Sequence, residues 1–586
     1  MDQSQIRRFV LFLVLSFGFI LIWSSLFPRK PVPPAPRPAA TAPARTTPAA
    51  ASTPGAPARV GGAPAVPGRM VTVRSPLYEY RFSTTGAALN AATLLRFESY
   101  VQKGRKVQLV PRNVRDVLTH RVVVGRDTLD FRNVAFAPSA PSLELRAGDA
   151  PKQLRFVSTN TAGPRAEVTF TFRADDYLVD VAGRITGVGG GARLITELGT
   201  GLAPHDAPEQ GNPGELAVAA WNQRRIQRVA IQNVKFADTI PGPLVWAGIK
   251  SRYFLLAVIN GGNQRFSRIE MEGAPDVWYT LNGEQRRSSR ARVRAVQPLA
   301  VDGAFRHQAY LGPQEHARLA AVGHELEEVN PYGYRWLRAV VRPIAAAVLW
   351  LMNLMHDSLG LTYGWVLIAL GFIVRLATWP LNARAMRAQM KNMAIQPELQ
   401  ARTKEIQQKY AGDQQRMGQE MMAMYRELGV SPFSMMSGCL PLLIPMPVLI
   451  TLFFVLQSAI ELRGESFWWL PDLSLRDPLN ILPLFLLVSM FALQWVSTKM
   501  SGMEQNPQMK FMMYTMPLMM SAFFFLMPSG LNLYYASTNV ASLPQQILIA
   551  QERRRITEAQ KAEKAAKEAR LRPSGARAKA RTKRKI

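Results

Sequence analysis

The sequence predicts an α-helical polytopic membrane protein with six spans, a large periplasmic antiparallel β-sandwich domain and a cytoplasmic helical hairpin. Three observations support this fold class. The chain of 586 residues changes near residue 330 from mixed, polar sequence to long apolar runs. Residues 70–330 alternate with period two, which is typical of half-buried strands. Residues 361–550 contain five runs that are long and apolar enough to suggest membrane spans.

Residues 1–28 are predicted to form a signal-anchor span that is retained. Basic residues precede an apolar run from Phe9 to Phe27, and no small-x-small cleavage site follows it directly. A cleaved signal peptide is the alternative. Residues 29–69 are dominated by proline and alanine, so they cannot bury a core and are predicted to form an extended tether.

Residues 70–330 are predicted to form the β-sandwich. From Val168 to Phe172 apolar residues alternate with polar ones, an Asp-Asp pair marks a turn, and the alternation resumes from Tyr177 to Val181. Similar short runs recur, which favours a sandwich. The only cysteine of the chain is Cys439, so no disulfide within the chain holds this domain together.

Residues 331–360 are predicted to form an amphipathic helix in the membrane interface. One face has an apolar stripe of Leu337, Val341, Ile344, Val348, Leu351 and Met355. Arg338 and Arg342 fall on the other side, as expected for a helix that lies along a bilayer. The alternative is an ordinary amphipathic helix packed on the β-domain.

Residues 361–550 are predicted to form the membrane core. The five predicted spans are 363–382, 438–460, 479–498, 511–527 and 530–550. The polar, methionine-rich segment 383–431 is predicted to be the cytoplasmic helical hairpin. Its methionines include Met421 and Met424, whose flexible thioethers suit contacts with many partners. Equally, they could form the hairpin's own core.

The distribution of charge predicts the orientation in the membrane. The net charge is +30, and basic residues are concentrated in the hairpin and in the tail, residues 551–586. The positive-inside rule therefore places both termini and the hairpin in the cytoplasm, and the β-domain in the periplasm. The basic tail suits ribosomal RNA or anionic lipid. A solvated run of charge that only enforces topology is the alternative.

Arg375 lies in the middle of the span 363–382. Its depth is about 16 Å at 1.5 Å per residue, near the centre of a bilayer core of about 30 Å. Arginine there costs from about 2.5 to more than 10 kcal/mol. Snorkelling to the cytoplasmic interface is one explanation, and a hydrated pocket open to the cytoplasm is the other. Other spans contribute polar residues that could line such a pocket, namely Gln494, Asn532, Ser537, Thr538 and Asn539.

The predicted spans contain no acidic residue that would neutralise Arg375. A proton relay or a cation pathway usually needs aspartate or glutamate in the membrane. A lone buried arginine instead favours a site for acidic or polar segments that pass through.

Eight motifs occur in order along the chain. They are YLGP at 310–313, FIVRLATWPL at 372–381, QP at 396–397, QEMMAMYRELGVSPF at 419–433, CLPLLIPMPV at 439–448, ELR at 461–463, DLSLRDPLNILP at 472–483 and PSGLNLYYASTN at 528–539. Through these motifs the chain resembles, over nearly its whole length, the YidC/Oxa family of membrane-protein insertases in its Gram-negative form.

The resemblance implies a five-helix insertase core in the cell inner membrane, with a hydrophilic groove that is open to the cytoplasm and lipid and closed from the periplasm. The candidate groove residues are Arg375, Gly371, Gln494, Asn532, Tyr534, Tyr535 and Asn539. The resemblance makes Arg375 the groove arginine and Tyr535 a contact of the sliding substrate. The candidate slide for apolar substrate segments comprises Leu442, Met446 and Leu449, of which Met446 matches a family methionine. Trp469 matches a family tryptophan near the periplasmic surface, and Met421 and Met424 are the candidate contacts of the hairpin.

Two positions depart from the family pattern. Gly371 stands where the family often has threonine, and Pro445 stands where it often has glutamine. These departures suggest that the groove walls are less polar at those points.

The implied function is insertion of nascent membrane proteins, alone or with the Sec translocon. The expected partners are these substrates, the Sec translocon, the ribosome through the hairpin and basic tail, and membrane lipids. No small-molecule substrate, cofactor or metal is expected. An enzyme is not expected either, because there is no Walker A or HExxH motif. The alternative function is a transporter with a midplane anion site at Arg375, against which stands the lack of a repeat between halves.

Overall fold

The computed structural model describes most of the β-domain and of the membrane core. The described residues are 68–160, 163–205, 216–262, 265–281, 283–330, 338–427, 446–500, 514–515, 517–518 and 521–571. The predicted signal anchor, nearly all of the tether and the end of the basic tail lie outside these residues.

The β-domain is built from twenty described strands, β1 to β20. In chain order they are Met70–Arg74, Tyr78–Ser83, Ala88–Glu98, Lys106–Gln108, His120–Val124, Asp127–Asp130, Phe136–Pro138, Ser142–Glu144, Lys152–Ser158, Arg165–Phe172, Leu178–Thr186, Arg193–Gly199, Ala217–Trp221, Ile226–Ala230, Ala237–Leu244, Trp246–Lys250, Phe254–Asn260, Phe266–Leu281, Glu284–Pro298 and Ala304–Pro313.

These strands form three sheets that share one apolar core. The sheet orders are β4-β3-β2-β1-β8, β14-β13-β16-β17-β20-β11-β10-β9-β7 and β15-β18-β19-β12-β5-β6. All pairs of neighbouring strands are antiparallel except β1 and β8, which pair in parallel. The predicted antiparallel β-sandwich is therefore present, except that the edge strand β8 pairs in parallel with β1.

The hairpin of β10 and β11 forms where the alternation of apolar residues predicts it. Phe170 pairs with Val181 across the two strands. Both side chains are fully buried, and the ring of Phe170 lies 4.7 Å from that of Phe82 in the first sheet. Alternate residues therefore face the core, and the two sheets pack through aromatic rings.

Besides the helical residues at 514–515, 517–518 and 521–524, seven helices follow or close the β-domain among the described residues. They are α1 (His316–Val322), α2 (Arg338–Leu359), α3 (Tyr363–Lys409), α4 (Gln414–Glu427), α5 (Met446–Ser458), α6 (Ile481–Met500) and α7 (Ser529–Leu571). In the membrane core α7 packs against α3 and α6, and α2 packs against α5 and α3.

Two of these helices are longer than the predicted spans. Helix α3 continues from the predicted span through the first arm of the predicted hairpin, and α7 continues past residue 550 into the basic tail. Good helix formers such as alanine, arginine, lysine and glutamine dominate both extensions, so the polarity changes without a break in the helix. The span and the first arm are therefore one rigid element.

Among the described residues, two helices are long and apolar enough to cross a membrane. They are Ala339–Leu359 and Tyr363–Ala383, and Ile481–Trp495 is a shorter apolar helix. The first of these lies in the segment predicted to be interfacial. It buries Val341 and Met352 fully and leaves Trp350 65% exposed. One face is therefore buried, and the exposed face includes an apolar tryptophan. The interfacial placement stays a prediction, since the mean hydropathy of this helix also suits a span.

Candidate functional site

The candidate site surrounds Arg375, on the face of α3 that turns toward α7. The preceding turns of this face are apolar and tightly packed, with Leu367 and Leu370 fully buried. On the outer side Phe372 and Leu376 are 46% and 69% exposed, as expected of side chains that meet lipid. Arg375 is partly buried between these two surfaces.

The Arg375 guanidinium has an incomplete set of partners. Its Nε is buried without a hydrogen bond, and it forms no ion pair with any residue that the structure describes. The hydroxyl of Tyr534 on α7 is its electrostatic neighbour. Since a membrane interior supplies few polar partners, a cation in this state needs water or the polar group of a ligand.

Helix α7 forms the opposite wall. Tyr534 is fully buried, and the ring of Tyr535 lies 5.1 Å from that of Phe524. Asn532 Nδ2 donates to the Phe524 carbonyl at 3.0 Å, and Asn539 Nδ2 donates to Ser489 Oγ on α6 at 2.9 Å. Both asparagines therefore join α7 to its neighbours by hydrogen bonds between helices.

Further polar atoms on this wall are buried without partners. Asn532 Oδ1 and Gln545 Oε1 have no hydrogen bond, whereas the Gln545 amide nitrogen donates to the Trp379 carbonyl at 3.4 Å. Buried polar groups are nearly always satisfied by protein or by water. Arg375 Nε, Asn532 Oδ1 and Gln545 Oε1 are therefore three buried polar atoms of α3 and α7 without a hydrogen bond.

Gly371 determines how closely the two helices approach. It is buried, and a β-carbon at this position would lie 2.0 Å from Ser537 Oγ. The glycine at this position, where the family often has threonine, predicts a less polar groove wall. The structure instead places this position in the crossing of α3 and α7, where a larger side chain meets the backbone of α7.

Comparison with known proteins gives the family. The family model described as 60Kd inner membrane protein matches residues 354–557, and the model described as YidC periplasmic domain matches residues 70–347. A membrane protein insertase YidC from Cupriavidus metallidurans is 31% identical over 84% of this chain and 86% of its own length. The chain belongs to the YidC family.

Two further relatives agree with this assignment. YidC insertases from Cupriavidus taiwanensis and Cupriavidus necator are 30% and 29% identical, over 82% and 92% of this chain and 82% and 97% of their own lengths. A solved structure described as active YidC insertase with its first transmembrane domain resolved is 17% identical. It covers 82% of this chain and 93% of that chain, with a TM-score of 0.31.

In this YidC family member the β-domain is the periplasmic domain, so the surface where it meets α5 and α6 marks the periplasmic end of the core. Trp469 lies there, partly buried, and its Nε1 donates to Asp477 Oδ1 at 3.2 Å. Trp365 and Trp468 pack edge to face with 5.8 Å between ring centroids and are 47% and 69% exposed. These two tryptophans are better placed than Trp469 to meet the lipid interface. Trp468 belongs to the run FWWL at 467–470, whereas Trp365 stands at the start of the predicted span 363–382.

The remaining predicted residues of the YidC groove and hairpin are placed as follows. Gln494 is partly buried on α6. Leu442 lies outside the described residues, as do the side chains of Met446 and Leu449 on α5. In the hairpin Met424 is 4% exposed and packs with Tyr425 and Met421, so these methionines form the hairpin's own core. Met424 is therefore not available as a contact for partners, whereas Met422 is 47% exposed.

Proposed function

We propose that the chain inserts membrane proteins into the cell inner membrane and helps them fold, through a hydrophilic groove between α3 and α7. The observation that carries the proposal is Arg375. It is a partly buried cation in an apolar helix, with an unpaired Nε and no counter-ion among the described residues. The family assignment supports the same function, since the curated relatives are named membrane protein insertases.

The groove would receive the polar, often acidic, extracellular segment of a substrate. That segment pairs transiently with Arg375, because the predicted spans hold no acidic residue that competes for it. Water around the buried polar atoms lowers the cost of moving such a segment through the bilayer. Arg375 therefore pairs with the substrate segment only while that segment passes through the groove, and the pair separates afterwards.

The apolar segment of the substrate would leave the groove toward lipid along α5 and α7. Tyr535 belongs to this path, together with the slide of Leu442, Met446 and Leu449. Burial of apolar surface supplies roughly 25 cal/mol per Å², so a whole span releases ample free energy without nucleotide. The membrane potential adds to this for acidic segments that move outward.

The cytoplasmic elements would deliver the substrate. The hairpin and the basic tail are proposed to contact the ribosome and membrane lipids, and the Sec translocon is a proposed partner for larger substrates. Since α7 continues as one helix to Leu571, the first part of the tail is a rigid extension of the groove wall. Both termini are proposed to be cytoplasmic in a multi-pass topology.

A transporter with an anion site at Arg375 is the second candidate function, because the same partnerless cation would also attract a small anion. The two functions separate in reconstituted vesicles that contain only this chain. An insertase integrates a model substrate without nucleotide, whereas a transporter moves a solute. Uptake of small anions with no insertion would reject the proposed function.

Complementation tests the role of Arg375 in cells depleted of their own insertase. The substrate is a single-span protein with a short acidic extracellular segment, beside a variant of it whose acidic residues are replaced by amides. We expect Arg375→Lys to retain insertion and Arg375→Ala to lose it for the acidic substrate only. Arg81→Ala, whose side chain is 55% exposed on β2 of the periplasmic domain, is the matched loss of charge and should insert normally. Normal insertion by Arg375→Ala would reject charge pairing.

A further inference from the structure

The loop between α5 and α6, residues 459–480, is seated on the periplasmic domain. Ile460 is 2% exposed and belongs to the apolar core cluster of the β-domain. Just before the loop, the Gln457 carbonyl at the end of α5 accepts two hydrogen bonds from Arg252, at 3.0 Å from Nε and 2.7 Å from Nη2. The ELR motif at 461–463 and the DLSLRDP motif that begins at Asp472 both lie in this loop, and the groove mechanism uses neither.

Arg463 is the first point of attachment. It is 8% exposed, and its guanidinium carbon lies 4.1 Å from the ring centroid of Tyr100 and 5.3 Å from that of Phe254. Its Nη2 donates to the Glu98 carbonyl at 2.7 Å. Cation–π contacts are strongest where they are shielded from water, so this arginine holds the loop firmly against the domain.

Asp472 is the second point, and the same tyrosine reaches it. The carboxylate is 5% exposed and accepts hydrogen bonds from the backbone amides of Gly464 at 2.9 Å and Ser474 at 2.7 Å. The Tyr100 hydroxyl donates to Asp472 Oδ2. One side chain of the periplasmic domain thus contacts a cation with its ring and an anion with its hydroxyl. We call Tyr100, Arg463 and Asp472 the clasp.

The loop in turn holds the start of α7. The amides of Ser529 and Gly530 donate to the carbonyls of Leu475 at 2.6 Å and Leu473 at 2.8 Å. Ser529 Oγ donates to the Asp472 carbonyl at 3.1 Å. The first amides of a helix have no partner within the helix, so these bonds fix where α7 begins. Tyr534 and Ser537, which meet α3 around Arg375, follow within two turns.

We propose that the clasp makes the periplasmic domain a positioning element of the groove. By fixing the loop it fixes the periplasmic ends of α5 and α7, and thereby keeps the groove closed toward the periplasm. The inference rests on the proposed function, because it assumes the groove. Tyr100, Arg463 and Asp472 touch no substrate and act through α7, so they are positioning residues.

Labelling of a single thiol tests the proposal. The full chain is prepared with Cys439→Ser and Leu531→Cys, since Leu531 is fully buried and follows Gly530 in α7. A membrane-impermeant maleimide is added from the periplasmic side. We expect Tyr100→Phe, which removes only the hydroxyl, to raise the labelling rate about tenfold, the factor expected for one hydrogen bond to a charged group. Asp472→Asn and Arg463→Ala should raise it as much or more.

Two controls separate positioning from general destabilisation. Arg286→Ala removes a charge from the β18–β19 hairpin, where the side chain is 47% exposed and paired with Glu284, and should leave labelling unchanged. A second chain carries Met424→Cys in the cytoplasmic hairpin instead, since Met424 is 4% exposed, and its labelling from the cytoplasmic side should not respond to the clasp variants.

Two outcomes would overturn the inference. One is labelling at the parental rate in all three clasp variants. The other is an equal rise at positions 531 and 424, which would show that the clasp stabilises the whole fold rather than positioning α7. Labelling needs no substrate and no insertion. A failed insertion assay would therefore reject the proposed function while leaving this measurement interpretable.

Discussion

Gly371 of α3 and Ser537 of α7 approach so closely that a β-carbon at position 371 would lie 2.0 Å from Ser537 Oγ and 3.1 Å from the Tyr534 carbonyl oxygen. Small residues at helix crossings in membranes let the two backbones come together. This crossing lies one turn before Arg375 on the same face of α3. The distance from the arginine to the wall formed by α7 therefore depends on a missing side chain.

Gly371→Ala should destabilise the membrane core and reduce insertion. The added methyl group forces α7 away from α3, and such overpacking typically costs about 1–3 kcal/mol. Thermal unfolding of the purified full chain and complementation in depleted cells would measure both effects.

Gly418→Ala is the matched control, because a β-carbon added at that position in α4 would have no atom within 4 Å. The control should be stabilising by about 0.5–1 kcal/mol, as alanine favours a helix. Equal stability of the two variants would contradict the prediction.

Local patterns predict the elements whose burial repeats with a fixed period. The alternation from Val168 to Phe172 gives β10 and its buried face, and the apolar run around Arg375 gives the helix that carries it. Each of these depends on neighbours in the sequence. The continuity of α3 from the predicted span through the first arm of the hairpin was not predicted, because a change from apolar to polar residues does not itself end a helix.

The contacts that join distant parts of the chain could not be predicted in this way. Tyr100 and Asp472 are separated by 372 residues, and their hydrogen bond depends on how the whole β-domain sits on the core. Nothing in the local sequence of either residue indicates the other. The role of Gly371 was missed for the same reason, since the sequence does not show which helix crosses it.

His307→Leu should make the stability of the full chain less dependent on pH. Burial lowers the pKa of His307 from 6.5 to about 4, and neither of its ring nitrogens has a hydrogen bond. Because the unfolded chain takes up a proton near pH 6.5 and the folded chain does not, the wild type loses stability as pH falls from 6.5 toward 4. This group contributes about 1 kcal/mol between pH 6.5 and 5.5. At pH 7.5 the leucine should be neutral or stabilising, because an unsatisfied polar group is removed.

Thermal unfolding of wild type and His307→Leu at several pH values between 7.5 and 5.5 gives the two slopes. Leu154→Ala, a change of a fully buried apolar residue, should lower stability at every pH without altering the slope. His120, whose pKa burial and the nearby His307 lower to about 3, contributes in the same direction in both chains. Identical slopes for wild type and His307→Leu would show that this histidine is not neutral in the folded state.

Glu461→Gln should have the opposite dependence on pH. Burial, with a smaller contribution from the charge of Glu315, raises the pKa of Glu461 from 4.5 to about 7. A raised carboxyl pKa stabilises the fold below pH 4.5, and this contribution is lost as pH rises through 7. At pH 8 the wild type therefore holds a buried carboxylate, and the variant should be more stable by about 1–3 kcal/mol. Near pH 5 the difference should nearly vanish. Glu427→Gln, at an exposed position of α4, is the control and should show no such change.

Asn539 and Ser489 should be energetically coupled across α6 and α7. Their hydrogen bond of 2.9 Å joins the two helices beside the groove, where few competing partners are available. Interhelical hydrogen bonds in membranes contribute about 0.6 kcal/mol on average and up to about 1.7 kcal/mol. A double-mutant cycle with Asn539→Ala and Ser489→Ala, measured by unfolding of the purified full chain, should give a coupling energy in that range.

Ser542→Ala is a useful second partner for the cycle, because the Ser542 hydroxyl bonds only within α7, to the Thr538 carbonyl at 2.6 Å. Its coupling to Ser489 should be near zero. If Asn539 and Ser489 prove additive while the chain remains folded, the amide of Asn539 has exchanged Ser489 for water, and Asn539 would then line the groove rather than join its walls.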